Sequence, residues 1–251
     1  MNERQERIYD LIKELGSVSV EALCAAVYAS PATVRRDLKA MELEGVLIRT
    51  WGGAMDIGEA NNDPPASLRS NTNVSAKKAI AKTAAGFLRD NISVFLPSGT
   101  TVPELAKHMR RFRNLSVFTN GLDIVDALKN HPGSTVLTLG GIVYENYDTI
   151  GPLTDSAIEC LNADLFFLSC SGICADGFTA SDMVRLDIMK KMQKRSAKTI
   201  LLVDTSKVGK RFTYRGFPFE RINYVIMEKL PDDSALIEAL GDKLIIPTTP
   251  L

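Results

Sequence analysis

The sequence predicts an α/β protein in two parts: a small N-terminal winged helix-turn-helix domain and a larger C-terminal open α/β domain. Three observations predict it. Apolar residues in the first 55 positions recur at helical spacing. A stretch poor in apolar residues follows, Asp56-Ile-Gly-Glu-Ala-Asn-Asn-Asp-Pro-Pro-Ala-Ser. Beyond it, strand-sized apolar runs alternate with amphipathic segments, the pattern of a mostly parallel sheet covered on both faces.

Ile8, Leu11, Ile12 and Leu15 stand at i, i+3, i+4 and i+7 and form one apolar stripe, with Gly16 as a stop. Ser19 is placed to cap a second helix that turns Ala22, Leu23 and Ala26 inward. Ser30-Pro31 offers a third helix its N-cap and a proline at N1, where the missing N–H is no loss. That helix buries Val34, Leu38 and Met41, and Gly45 ends it. Residues 46–49 are strand-like, Trp51-Gly52-Gly53 turns the chain, and Ala54-Met55 returns as a second strand.

The stretch after Asp56 cannot bury enough surface to offset its ordering entropy, so it reads as a linker over 58–75 between domains 1–57 and 76–251. Strands are expected at 92–96, 115–118, 135–139, 165–168, 200–203, 225–227 and 244–246. Helices are expected at 77–88, 102–110, 122–128 and 183–196.

Composition excludes several classes. With 45% apolar and 24% charged residues, the chain is globular rather than disordered. Thirty basic residues balance thirty acidic ones, so any nucleic-acid binding comes from a local patch and not from bulk charge. Four cysteines do not make a disulfide scaffold and suit a reducing cytoplasm. No apolar run nears the ~20 residues of a membrane span, and the polar stretch 1–7 does not read as a signal peptide.

Such a patch is visible in the third helix. Residues 1–55 hold seven Lys/Arg and eight Asp/Glu, but the bases gather at 35–39 and 49. Thr33, Arg35, Arg36 and Lys39 fall off the apolar face, many near the N-terminal end of the helix. A recognition helix presents that end to the major groove, where arginine donates two hydrogen bonds to guanine. Ser30 and the helix N-terminus can meet a phosphate, and Arg49 adds a cation at the wing. The competing reading makes Arg35, Arg36 and Lys39 an ordinary solvated face, with Asp37 pairing locally.

Ligands of open α/β sheets sit beyond the carboxyl ends of the strands. Ser98-Gly99-Thr100-Thr101 follows the first expected strand, and Thr119-Asn120-Gly121 the second. Gly140-Gly141, Ser169-Cys170-Ser171-Gly172 and Asp204-Thr205-Ser206-Lys207 follow the next three. Each alone is ordinary turn chemistry. Five at one sheet edge make a shared polar pocket suited to an anion.

Ser30, Thr33-Val34-Arg35-Arg36-Asp37-Leu38, Glu42, Gly45, and Arg49 followed by Gly52-Gly53-Ala54 resemble the signature of the DeoR family of bacterial transcription regulators. The resemblance spans nearly the whole chain. It implies a sequence-specific regulator of a carbohydrate-metabolism operon, a repressor and not an enzyme. Its C-terminal sensor would be similar in fold to ribose-5-phosphate isomerase and glucosamine-6-phosphate deaminase. The implied partners are double-stranded operator DNA and a phosphorylated sugar effector, with no membrane. The effector pocket would be lined by Ser98, Gly99, Thr100, Thr101, Asn120, Gly141, Asp204 and Lys207, with Lys207 offsetting the phosphate. One winged helix touches few base pairs, so a homo-oligomer is expected, at least a dimer; the family implies that a tetramer is possible.

The chain departs from the family in three places. Trp51 replaces a common histidine and either lies against the DNA backbone or packs under the wing. Pro97 replaces an aspartate. Alignment on Met192 sets Arg185, Asp187 and Met189 where the family often has Glu-x-Glu-x-Lys. Two alternatives therefore stay open: an aldose-ketose isomerase using Asp187, Asp204 and Lys207, and a regulator that has lost its small ligand. No cofactor or metal is expected, because His108 and His131 lack obvious ligand partners and Cys170-x-x-x-Cys174 has no second pair.

Overall fold

The structure is a computed structural model that describes residues 1–15, 17–44, 46–49, 52–56, 69–131, 133–145 and 148–247. The expected stops at Gly16 and Gly45, both readings of Trp51, and most of the expected linker lie outside the described residues. The chain divides into two compact units, residues 1–72 and 73–251.

In the first unit, α1 (Glu3–Leu15) is followed by β1 (Ser17–Ser19), α2 (Val20–Val27) and α3 (Pro31–Leu43). Then come β2 (Leu47–Arg49) and β3 (Gly53–Asp56). The caps are those the sequence predicts. Ser19 Oγ accepts the Ala22 N–H at 3.1 Å and Ser30 Oγ accepts the Thr33 N–H at 3.3 Å, with Pro31 in the first turn of α3. Ile8, Ile12, Leu23, Val34, Leu38 and Met41 are fully buried in one core. Leu15, expected on the buried stripe, is instead 61% exposed. It is the last residue of α1, where the stripe has run past the apolar faces that cover it.

The wing holds one strand more than expected. β1, only three residues long, pairs antiparallel with β3, giving the order β1-β3-β2. Gly53 makes this closure possible, because a Cβ there would stand 2.1 Å from the Val18 carbonyl oxygen.

The second unit is built on β4 (Ser93–Phe95), β5 (Leu115–Thr119), β6 (Ser134–Thr138), β9 (Ala163–Leu168), β12 (Ser196–Leu202), β14 (Tyr224–Ile226) and β15 (Leu244–Ile245). All pair parallel, in the order β15-β14-β12-β9-β4-β5-β6. Each expected strand is found here. Successive residues point to opposite faces: Phe166 and Leu168 enter one core, Leu165 and Phe167 the other. Helices α4 (Val74–Ala84), α5 (Val102–Ala106) and α6 (Leu122–Leu128) cover one face. Helices α7 (Pro152–Glu159), α8 (Met183–Lys194) and α9 (Ser234–Leu240) cover the other. Helix α4 starts at Val74, inside the stretch read as linker.

Two small additions lie outside the main sheet. One is the hairpin of β7 (Ile142–Tyr144) and β8 (Asp148–Ile150); the other is a sheet of β10 (Gly172–Cys174), β11 (Gly177–Ala180) and β13 (Tyr214–Arg215).

Candidate functional site

Arg35, Arg36 and Lys39 are exposed along α3, and none makes an ion pair among the described residues. Their neighbour Asp37 does not pair locally. It is buried and accepts hydrogen bonds from Arg4 of α1 at 2.6 and 3.3 Å. The acid that could have neutralised the cationic edge is thus engaged from behind. Sequence reasoning missed this pair because the partner lies 33 residues away.

Ser30 is exposed at the start of α3, its hydroxyl 3.0 Å from that of Thr33, so both stand at the entering end of the helix. Arg49 is less free. Its backbone N–H donates to Glu42 Oε1 at 3.3 Å and its guanidinium lies 3.6 Å from Glu42 Oε2. Glu42 therefore ties the wing strand to the tail of α3.

In the second unit the sheet order fixes where a ligand can sit. Counted along the sheet, the strands run 3-2-1-4-5-6-7. The order in which the chain adds strands therefore reverses between β4 and β9, the point at which open α/β sheets take ligands beyond their carboxyl ends. The loop after β4 carries Ser98, Gly99, Thr100 and Thr101, the last fully buried with no hydrogen-bond partner for its hydroxyl among the described residues. On the other side, Lys207 reaches from the loop after β12 to the loop after β9. Its ammonium donates to Ser169 Oγ at 3.1 Å and to the Cys170 carbonyl at 2.6 Å. It makes no ion pair with a carboxylate among the described residues. Asp204 is buried behind it and accepts from Asn73 Nδ2 at 3.1 Å and from the Ser206 hydroxyl.

Asn120 follows β5. Its amide donates to the Thr149 carbonyl at 3.1 Å, while its buried Oδ1 has no partner among the described residues. Gly141 stands apart. It is exposed at the base of the hairpin, with φ +115°, where a Cβ would lie 2.4 Å from the Ile150 carbonyl oxygen and from Thr154 Oγ1. The fold thus brings the 98–101 loop, Asn120, Asp204 and Lys207 to the carboxyl edge of neighbouring strands, with Gly141 toward the rim.

Two participants were not expected from sequence. Asp123, in the first turn of α6, accepts the Gly99 N–H at 3.3 Å and the Ile124 N–H at 2.8 Å. Burial pushes its carboxyl up to about 6. Its signal was an acid two residues past Gly121 at a helix start. The second is Arg185, which hydrogen-bonds the fully buried Asp148, lies 3.0 Å from Glu145 and stacks on Tyr144. It fastens the β7–β8 hairpin to the start of α8.

Asp187 and Met189 stand elsewhere. Asp187 is exposed and paired with Lys191 at 2.6 Å, and Met189 packs against the core. No disulfide joins the cysteines among the described residues, and Cys170 and Cys174 are both buried, the latter on β10. Among the described residues no group of His, Cys, Asp or Glu is placed to hold a metal ion, and no helix is long and apolar enough to cross a membrane.

Comparison with known proteins gives matches for both units. Residues 4–59 match the DeoR-like helix-turn-helix domain, and residues 72–229 match the DeoR C terminal sensor domain. The transcriptional repressor AccR of Agrobacterium fabrum is 30% identical over 251 residues, covering 99% of this chain and 93% of its own. The HTH-type transcriptional regulator GolR of Listeria innocua is 32% identical over 209 residues, covering 82% of each chain. Among solved structures, ribose 5-phosphate isomerase from Plasmodium falciparum aligns over 53% of this chain and 52% of its own. Its identity is 17% and its TM-score 0.40.

Proposed function

The chain belongs to the DeoR family of transcriptional regulators, and on that premise we propose that it is a cytoplasmic repressor of a carbohydrate-metabolism operon, released by a phosphorylated sugar. The first unit holds operator DNA. The observation that carries this reading is the open cationic edge of α3. Arg35, Arg36 and Lys39 stand clear on a capped helix whose neighbouring acid, Asp37, is turned inward to Arg4. Arg35 and Arg36 read base edges in the major groove, Lys39 meets phosphate, and Ser30 and Thr33 fix the entering end.

The second unit senses the effector. Lys207 offsets the phosphate, the 98–101 loop supplies N–H and hydroxyl donors, and Asn120 holds the sugar body. Release requires that the effector bind the DNA-competent and DNA-incompetent states with different affinity; tight binding alone shifts nothing. The active species is a homo-oligomer, because one winged helix touches few base pairs and two copies can address repeated half-sites. No enzymatic step belongs to this reading: of the two carboxylates an isomerase would recruit, Asp187 points out to Lys191 and Asp204 is taken up by Asn73 and Ser206.

A mobility-shift titration on the DNA upstream of its own gene tests this, run with and without a panel of pentose and hexose phosphates. Retarded DNA that one member of the panel releases is the expected result. No retardation at low salt would overturn the regulatory reading.

A further inference from the structure

The turn between α2 and α3 carries a side chain for which the fold has no use. Tyr28 is 94% exposed, and neither its ring nor its hydroxyl meets a partner among the described residues. Its backbone is left-handed, with φ 49° and ψ 44°. A residue with a β-carbon is strained there, whereas glycine or asparagine adopts the conformation readily. The turn itself is held by backbone, since the Tyr28 N–H donates to the Cys24 carbonyl. The phenol ring adds nothing to that bond and nothing to the core beneath. A bulky aromatic thus occupies a strained position and, within its own fold, gains nothing from it.

Its place explains it. Tyr28 stands two residues ahead of Ser30, the N-cap of the helix whose entering end meets the major groove. Residues just before that cap reach the rim of the groove, where the sugar-phosphate strand runs. We propose that Tyr28 is a DNA-backbone contact, its phenol O–H donating to a phosphate oxygen beside the groove that α3 enters. This rests on the DNA-binding reading of the first unit and extends it to a residue outside the cationic edge. The contact is uncharged, so it displaces no counterion. It touches no base, so it acts alike on every sequence.

Full-length Tyr28→Phe and Tyr28→Asn test this by fluorescence anisotropy on the upstream DNA and on a scrambled duplex of equal length, over a range of salt. Both variants should lose about tenfold in affinity on both duplexes, with the slope of log K against log salt unchanged. Tyr28→Asn should also melt above the wild type, because asparagine relieves the left-handed strain. Wild-type affinity in Tyr28→Phe, which lacks only the hydroxyl, would overturn the proposal. So would a loss confined to one duplex, which marks a base contact, or a lower melting temperature for Tyr28→Asn, which marks a structural role. If the wild-type protein bound neither duplex, the DNA-binding reading itself would fall, a result distinct from any of these.

Discussion

Arg4 of α1 and Asp37 of α3 are joined by two hydrogen bonds, Nε to Oδ2 at 2.6 Å and Nη2 to Oδ1 at 3.3 Å, with the carboxylate buried and the guanidinium at the surface. The pair ties α3 to α1 on the same side of α3 as the buried Val34, Leu38 and Met41. With Asp37 held inward, Arg35, Arg36 and Lys39 are carried outward. Arg4→Ala and Asp37→Ala should each lower the melting temperature and weaken DNA binding. The double variant should be no worse than the poorer single one, since residues in direct contact are not additive. Thermal melts of the three variants decide it; fully additive losses would show that the pair does not act as a unit.

Arg35→Ala or Arg36→Ala should cost ~1–3 kcal/mol of operator affinity and relax the preference at one base position. Lys39→Ala should weaken all sequences alike and reduce the salt slope by about 1. Binding to a set of single-base operator variants separates the two roles.

Lys207→Met should leave affinity for free operator DNA unchanged and abolish release by the effector. Among the described residues the ammonium is tethered only to Ser169 and the Cys170 carbonyl, so its loss strands no buried acid there. Calorimetry with the releasing sugar phosphate is the direct check. Wild-type effector affinity in the variant would remove Lys207 from the pocket.

Burial raises the Asp123 carboxyl to about 6, against about 3.9 in an unfolded chain. The folded state therefore holds its proton longer. Between about pH 4 and pH 6 this group makes stability fall as pH rises, and above pH 6 the full penalty persists. Asp123→Asn should thus gain up to about 3 kcal/mol over the wild type at pH 7–8 and lose that advantage near pH 4. Urea unfolding of both proteins at three pH values tests the sign.

Arg185→Ala leaves Asp148, which has no exposed surface, as an uncompensated buried charge. A cost of about 3 kcal/mol is expected. Amide exchange should speed up in the hairpin 142–150 before anywhere else, because the clasp to α8 is gone. Unchanged protection there would show that the hairpin is held by its own ladder.

Local chemistry explains what could be read in the sequence. The caps at Ser19 and Ser30 need only two or three residues to announce themselves, and buried parallel strands show as continuous apolar runs. What escaped notice is either very short or rests on distant partners. β1 has three residues and no alternation of its own. The hairpin strands expose Ile142 and Val143, so they lack a buried face to pattern the sequence. The candidate pocket was legible as loops, since strand order turns sequence neighbours into spatial ones. Asp123 and Arg185 were not, because their roles depend on Gly99 and Asp148, which only the folded sheet brings near.

The strand order also governs how the protein is made. β4 lies inside the sheet between β5 and β9, and β9 begins only at Ala163. When β4 leaves the ribosome its second neighbour does not yet exist. At roughly 5–20 residues per second, that flank waits several seconds. When Asp164 arrives it accepts both the backbone N–H and the hydroxyl of Ser93 at 2.8 Å, closing the two halves of the sheet like a late-fitted keystone. Synthesis therefore passes through a stage in which β4, β5 and β6 can already pair while the other edge of β4 still waits for its neighbour.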